Sequence, residues 1–475
     1  MRDQVRFVFA AVIVLAALLP ASASALSRDE ARHLLVRSGF AAEPETIDAL
    51  LPLSRETAID RILGATVPEA ATPAPGWTAD WTPPRMKDLT REEKQALRRH
   101  LRKQALELKA WWFEEMAVTA SPLTEVMTLF WHNHFTSGLR KVKAPVLMYR
   151  QNRLLRQEAL GNFGRLLRAV ARDPAMLVYL DGARNRKQAP NENFARELFE
   201  LFTLGEGHYQ EADIKDAARA FTGWSVDRKD ASFTFRQRWH DDGMKSVLGA
   251  QGRLNGDDVI TVLLDHPRTA VFIVEKLWRQ FISEDPDPQE VERLAAVFRE
   301  ADYEIKPLLA ALFASDPFWA PENRGRLIKS PVEFLVGTVR LFDLPVERYE
   351  DLVRLSGRLG QNLFDPPNVK GWPGGTAWIT ASSLVDRQSL LERITGGGKA
   401  TATPAGMQSS ANRGETRRAR MFDTWVADLP EAWRRADAVT MLLLPIAPVD
   451  SEILDRYASG AQVRQLLGDP AYQLK

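Results

Sequence analysis

The sequence predicts a mainly α protein: a large multi-helix domain with a small β-hairpin or ribbon near residues 230–250. Three observations carry this. Capping boxes recur, at Ser27-Arg28-Asp29-Glu30, Thr90-Arg91-Glu92-Glu93 and Ser330-Pro331-Val332-Glu333. In each, a hydroxyl and a carboxyl satisfy amides that a helix's first turn leaves without partners. Apolar residues then repeat at helical spacing, as in Phe194, Leu198 and Leu201. Only Ser232 to Trp239 shows the alternation of a strand, with Phe233, Phe235 and Gln237 set against Thr234 and Arg236.

In chain order, Arg2 and Arg6 precede an apolar run from Phe7 to Pro20 and the small-residue site Ala23-Ser24-Ala25. This is the pattern of a secretory signal peptide, residues 1–25, too short and wrongly flanked for a lasting membrane span. It predicts cleavage near Ala25 and a periplasmic or secreted mature chain. The main helical domain follows over 26–395. A long helix begins after Thr90, and Ser121-Pro122 joins an N-cap to a proline at the first helical position. Helices are expected over 191–204 and 210–223, joined by a glycine-bracketed turn. Residues 360–379, with three prolines and four glycines, predict an ordered loop crossing the surface. Residues 396–418 read as a flexible, low-complexity linker, and 419–475 as a C-terminal helical segment packing on the main domain.

Composition excludes some chemistry. There is no cysteine, so no disulfide framework, no thiol nucleophile and no thiolate metal ligand. Removing residues 1–25 takes away Arg2, Asp3 and Arg6 and leaves cations and acids equal in number. That balance argues against nucleic acid as a partner. Between Arg140 and Arg172, however, nine Arg or Lys residues face a single acid, Glu158. Such a run fits an envelope polymer bearing negative charge, or a solvated face balanced by acids elsewhere in the fold.

The chemistry-bearing residues gather around the expected helix 191–204. Its polar face offers Asn191, Asn193, Arg196, Glu197 and Glu200. Glu192–Arg196 and Arg196–Glu200 are i, i+4 pairs that suit a salt-bridged solvent face. Glu197 or Glu200 pointing into a cleft would instead serve acid–base catalysis. His132 and His134, with His240, are the candidate metal ligands, and a divalent metal is the one cofactor this residue set suggests. On a helix His132 and His134 lie about 200° apart, so they share an ion only where the helix has ended. His240-Asp241-Asp242-Gly243, followed by Lys245, is either a proton-relaying turn or an ordinary turn former. Trp372 and Trp378 in the Pro/Gly loop are candidates for sugar stacking or for pinning the loop to the core.

Several blocks together resemble a known family: HLLVRSGF (33–40), FWHNHF (130–135), NENFARELFELFTLGEGHY (191–209), FTGW (221–224), HDDGMKSVLG (240–249) and HPRTAVFIVEKLWRQF (266–281). KSPVEFLVGTVR (329–340), GQNLFDPPNVKGWPGGTAWI (360–379) and LLGDPAYQL (466–474) complete the set. They are similar to the bacterial family catalogued as domain of unknown function 1800. Many members carry a basic pair and a second glycine where this chain has Val36-Arg37-Ser38-Gly39. The resemblance implies an exported, largely helical protein and brings no catalytic residues with it. It also implies a partner, since genes of the family often lie beside those of an exported family, domain of unknown function 1501, that looks related to sulfatases and alkaline phosphatases. The expected function is a noncatalytic helical binding or partner protein of the cell envelope or secreted fraction. The alternative is a hydrolase, metal-dependent or acid–base, acting on envelope or extracellular glycans or esters.

Overall fold

The computed structural model describes residues 25–79, 81–84, 87–395, 424–449 and 458–475. The expected signal peptide, save Ala25, and the expected linker 396–418 lie outside these. The protein is mainly α with two small antiparallel hairpins. All three capping boxes form: Ser27, Thr90 and Ser330 accept from the third amide of helices Arg28–Ser38, Arg91–Val118 and Pro331–Leu341. Helix Pro122–His134 starts on proline as expected, but Ser121 does not cap it. Its hydroxyl sits 2.7 Å from that of Thr124 and accepts the amide of Val67 at 2.9 Å, tying the extended chain after residue 64 to this helix start.

A single core cluster runs from Leu26 to Tyr472. Helix Arg91–Val118 packs on Tyr349–Arg358, Pro331–Leu341 and Pro145–Gln157. Pro267–Phe281 packs on Pro288–Glu300, which in turn meets Ile305–Phe313. The C-terminal segment closes on the N-terminal helices. Arg32 donates to the carbonyls of Leu442 and Leu443, and the Trp433 indole to Asp48 at 3.1 Å. Near the end of the chain, Ile328 and Leu474 form an isolated bridge.

The strand expected over Ser232–Trp239 is shorter than its alternation suggests. Phe233–Phe235 pairs with Trp224–Val226, after which Gln237–Trp239 coils into a 3-10 turn. The chain bends there because the Arg236 amide bonds the carbonyl of Gly223 and the Trp239 carbonyl is claimed by the amide of Lys187. A second ladder joins Lys245–Val247 to Ala250–Gly252. The loop 360–379 also departs from expectation. It enters the core instead of crossing only the surface: Leu363 and Phe364 are buried, and Phe364 lies 4.9 Å from the Trp112 ring. No helix among the described residues is long and apolar enough to cross a membrane.

Candidate functional site

Helix Pro122–His134 runs to its last histidine, so His132 and His134 are both helical and face opposite ways. His132 is fully buried among Trp112, Phe364 and Trp372, with ring centroids 5.2–5.6 Å away. Its Nε2 accepts the Phe364 amide at 3.2 Å, which puts the ring proton on Nδ1, a buried atom with no partner among the described residues. Burial, aided by the Lys109 charge, pushes its pKa down to about 3, so the ring is neutral. His134 has the other tautomer. Its Nε2–H donates to the Phe202 carbonyl at 3.2 Å, leaving Nδ1 a bare acceptor. Burial first and the nearby Lys276 charge second hold it well below the ordinary histidine range.

His134 and Asn133 form one wall of a cleft of about 350 Å³. Lys276 on helix Pro267–Phe281 and Trp372 and Trp378 on the Pro/Gly loop form others. The loop is held there by Asn133, whose Oδ1 accepts the Trp372 amide at 2.7 Å. Gly371 makes the approach feasible: its φ is +82° and a Cβ would stand 2.2 Å from that same oxygen. Both tryptophans are otherwise buried, so they shape the wall more than they offer free stacking faces.

Cations predominate in the lining: Lys276, Arg279, Lys370 and Lys475 against Glu284 and Glu333. Glu333 is engaged by Lys475. Burial would raise its carboxyl, but the Lys475 ammonium and the Ser330 cap hold it below the ordinary range. Lys276 has no carboxylate among the described residues. Its ammonium lies 4.9 Å from the Phe272 ring centre, and burial, with Arg279 beside it, pushes its pKa down to about 8. A larger groove of about 710 Å³ runs past Glu43, Arg340 and Trp425, and it carries none of the residues singled out in the sequence.

The acidic face adjoins the cleft through Lys370. The expected helix 191–204 is α only over Glu192–Glu197 and widens to a π turn over Leu198–Thr203. The widening is visible in its bonds: the Leu204 amide reaches back to Phe199 and the Thr203 hydroxyl to Leu198, each five residues earlier. Arg196 therefore bonds Glu192 and Glu211, and the α-spaced pair Arg196–Glu200 does not form. Glu200 accepts from the Tyr209 hydroxyl at 3.1 Å and lies 3.7 Å from Lys370, which also holds Glu206 at 3.0 Å. Glu197 makes no hydrogen bond or ion pair among the described residues. Burial and then the Glu200 charge raise its carboxyl above the ordinary range. Asn191 caps the helix through the Asn193 amide, and the Asn193 side chain donates to Leu180.

His240 lies in a different setting. Its Nδ1 donates to the Thr222 carbonyl at 2.8 Å, and Nε2 lies 3.8 Å from Asp242. Asp241 is locked by Arg219 at 2.8 Å, which brings its pKa down to about 2, and the Lys245 ammonium donates to the Asp241 and Gly243 carbonyls. The His240-Asp241-Asp242-Gly243 turn is thus stitched internally. His132, His134 and His240 have three separate partner sets. Among the described residues no three or more His, Asp and Glu side chains gather to hold a metal ion.

Sequence reasoning passed over Lys276, Arg279 and Gln361. The signal that could have found Lys276 was a lysine four residues after Phe272, between the buried Ile273 and Leu277 of an amphipathic helix. No curated protein and no solved structure matches the chain. A family model does match, over residues 33–474, and the chain belongs to that family, described as protein of unknown function DUF1800.

Proposed function

We propose that the protein is an exported binding protein of the cell envelope or secreted fraction, and that its cleft takes a small polar ligand bearing an acidic group. The observation that carries this is Lys276, a partly buried ammonium in the cleft with no carboxylate among the described residues to neutralise it. An unpaired charge out of water is costly, and an entering anion relieves that cost. Asn133, Gln361 and the exposed Arg279 also line the cleft and add polar groups for a hydroxylated, acidic ligand. An exported protein of the domain of unknown function 1501 family is the proposed partner in the same compartment.

Calorimetric titration with glucuronic acid, inorganic phosphate and neutral glucose tests the reading. At least one anionic probe is expected to bind, glucose is not, and Lys276→Met is expected to abolish the heat. Because Lys276 must be charged to hold the anion, affinity is expected to fall about tenfold per pH unit well above pH 8. Equal binding by the Lys276→Met protein would sink the reading.

A second reading, an acid–base hydrolase, is favoured by Glu197 alone, a carboxyl raised by burial beside Glu200 and free of bonds among the described residues. It predicts turnover of chromogenic esters or glycosides that Glu197→Gln removes. Turnover unchanged in that variant excludes Glu197 as the acid.

A further inference from the structure

The 3-10 turn that ends the first hairpin gathers four cations from two segments far apart in sequence. The guanidinium carbons of Arg186 and Arg236 lie 4.0 and 4.9 Å from the Trp239 ring centre. The Lys187 amide bonds the Trp239 carbonyl at 2.8 Å, and Arg238 precedes the tryptophan. Arg186, Lys187 and Arg238 are exposed, and none of the four forms an ion pair with a described residue. The Arg236 Nε is buried without a partner. Of the two acids that follow in sequence, Asp242 is exposed, takes a long 3.4 Å bond from Gln237 and lies 3.8 Å from the His240 Nε2. Asp241 is already engaged by Arg219. The same stretch carries two large apolar side chains on the surface, Phe235 at 44% and Met244 at 64% exposure.

We infer that this turn is a docking surface for an anionic lipid membrane. Three features belong together there. Unpaired cations are drawn to the negative potential of acidic headgroups. A tryptophan flanked by guanidiniums suits the interface between headgroup and chain. Exposed Phe235 and Met244 supply apolar area to sink between lipids, which a soluble polyanion does not require. The proposal is independent of the cleft, since none of these residues lines it.

Co-sedimentation of the purified chain with vesicles tests it. The chain is expected to bind vesicles of equal parts phosphatidylcholine and phosphatidylglycerol at low salt, and to leave pure phosphatidylcholine unbound. Raising the salt is expected to release it. Lys187→Gln with Arg238→Gln, two side chains whose removal breaks no bond, is expected to weaken binding by about fivefold per cation. Met244→Ser is expected to weaken it further with no change in thermal unfolding. Absence of binding to the acidic vesicles, or equal binding to neutral ones, overturns the proposal. Retention by dextran sulfate at an affinity matching the vesicles, with no dependence on Met244, overturns it in favour of a soluble polyanion.

Discussion

Two cationic regions of this molecule invite comparison. The stretch Arg140–Arg172 is continuous, with nine cations to one acid. The four cations around Trp239 are split between residues 186–187 and 236–238 and lie in no conspicuous run. The folded chain reverses their apparent importance. Arg140 pairs with Asp365, Lys141 with Asp181, Arg156 with Glu125, Arg165 with Glu158 and Arg172 with Asp257. Arg150 and Arg168 donate to the carbonyls of Asp230 and Asp257. Most of the obvious charge is therefore spent internally, largely on acids and carbonyls delivered by other segments. The four cations around Trp239 remain free of ion pairs among the described residues. Charge counted along a window is a poor guide to the field at a surface, because counter-charges arrive through tertiary contacts.

This contrast can be broken or sharpened by substitution. The largest effect is expected at Arg156, which is 2% exposed and grips the 1% exposed Glu125 through two nitrogens, at 2.5 and 2.9 Å. The Trp112 indole also donates to Glu125, and Asn152 accepts from Arg156. Arg156→Ala strands a buried carboxylate and is expected to cost about 3–5 kcal/mol in denaturant unfolding. A loss under about 1 kcal/mol would mean that Glu125 finds another partner or a proton.

Asp173, buried at the end of the same region, comes next. It accepts from Gln151 at 2.8 Å and from the Met176 amide at 2.9 Å, yet burial pushes its pKa up to about 7. The folded chain holds this proton where the unfolded chain, at its ordinary 3.8, has lost it. Stability from this group is full at low pH, falls by about 1.4 kcal/mol per pH unit between the two values and is flat above the upper one. Asp173→Asn keeps the cap and is expected to flatten that slope in urea midpoints measured across this window. An unchanged slope would remove Asp173 as its source. The smallest effect is expected from Arg140→Ala. That side chain is 73% exposed, so losing its Asp365 pair should change stability by less than about 1 kcal/mol. A larger loss would show the pair anchoring the loop that Asp365 belongs to.

Much of the fold was legible in the sequence, and the site only in part. Ser27, Thr90 and Ser330 announce their helices because the cap, the first turn and the third residue are near neighbours in the chain. The same locality lets Pro122 and Pro331 mark helix starts. The family was legible too, through ordered blocks that a family model matches nearly end to end. The π turn at Leu198–Thr203 was not. Its apolar stripe reads as α, and only the bonds from Leu204 and Thr203 back five residues show Glu200 turned from Arg196 toward Lys370. The partner strand Trp224–Val226 was also missed, since it follows directly on a helix and alternates too briefly to register.

By itself, then, the sequence determined where helices begin, the mainly α class and the family, all carried by residues within a turn or two of each other or by their order. Tertiary structure alone decided that His132 and His134 are neutral and back to back, that Lys276 faces a cleft with no carboxylate partner among the described residues, and that the cations around Trp239 stay unpaired among those residues while most of those of 140–172 are engaged. Protonation and pairing depend on burial and on the nearest opposite charge. Both are set by chain segments as far apart as Arg140 and Asp365, a separation that no local pattern encodes.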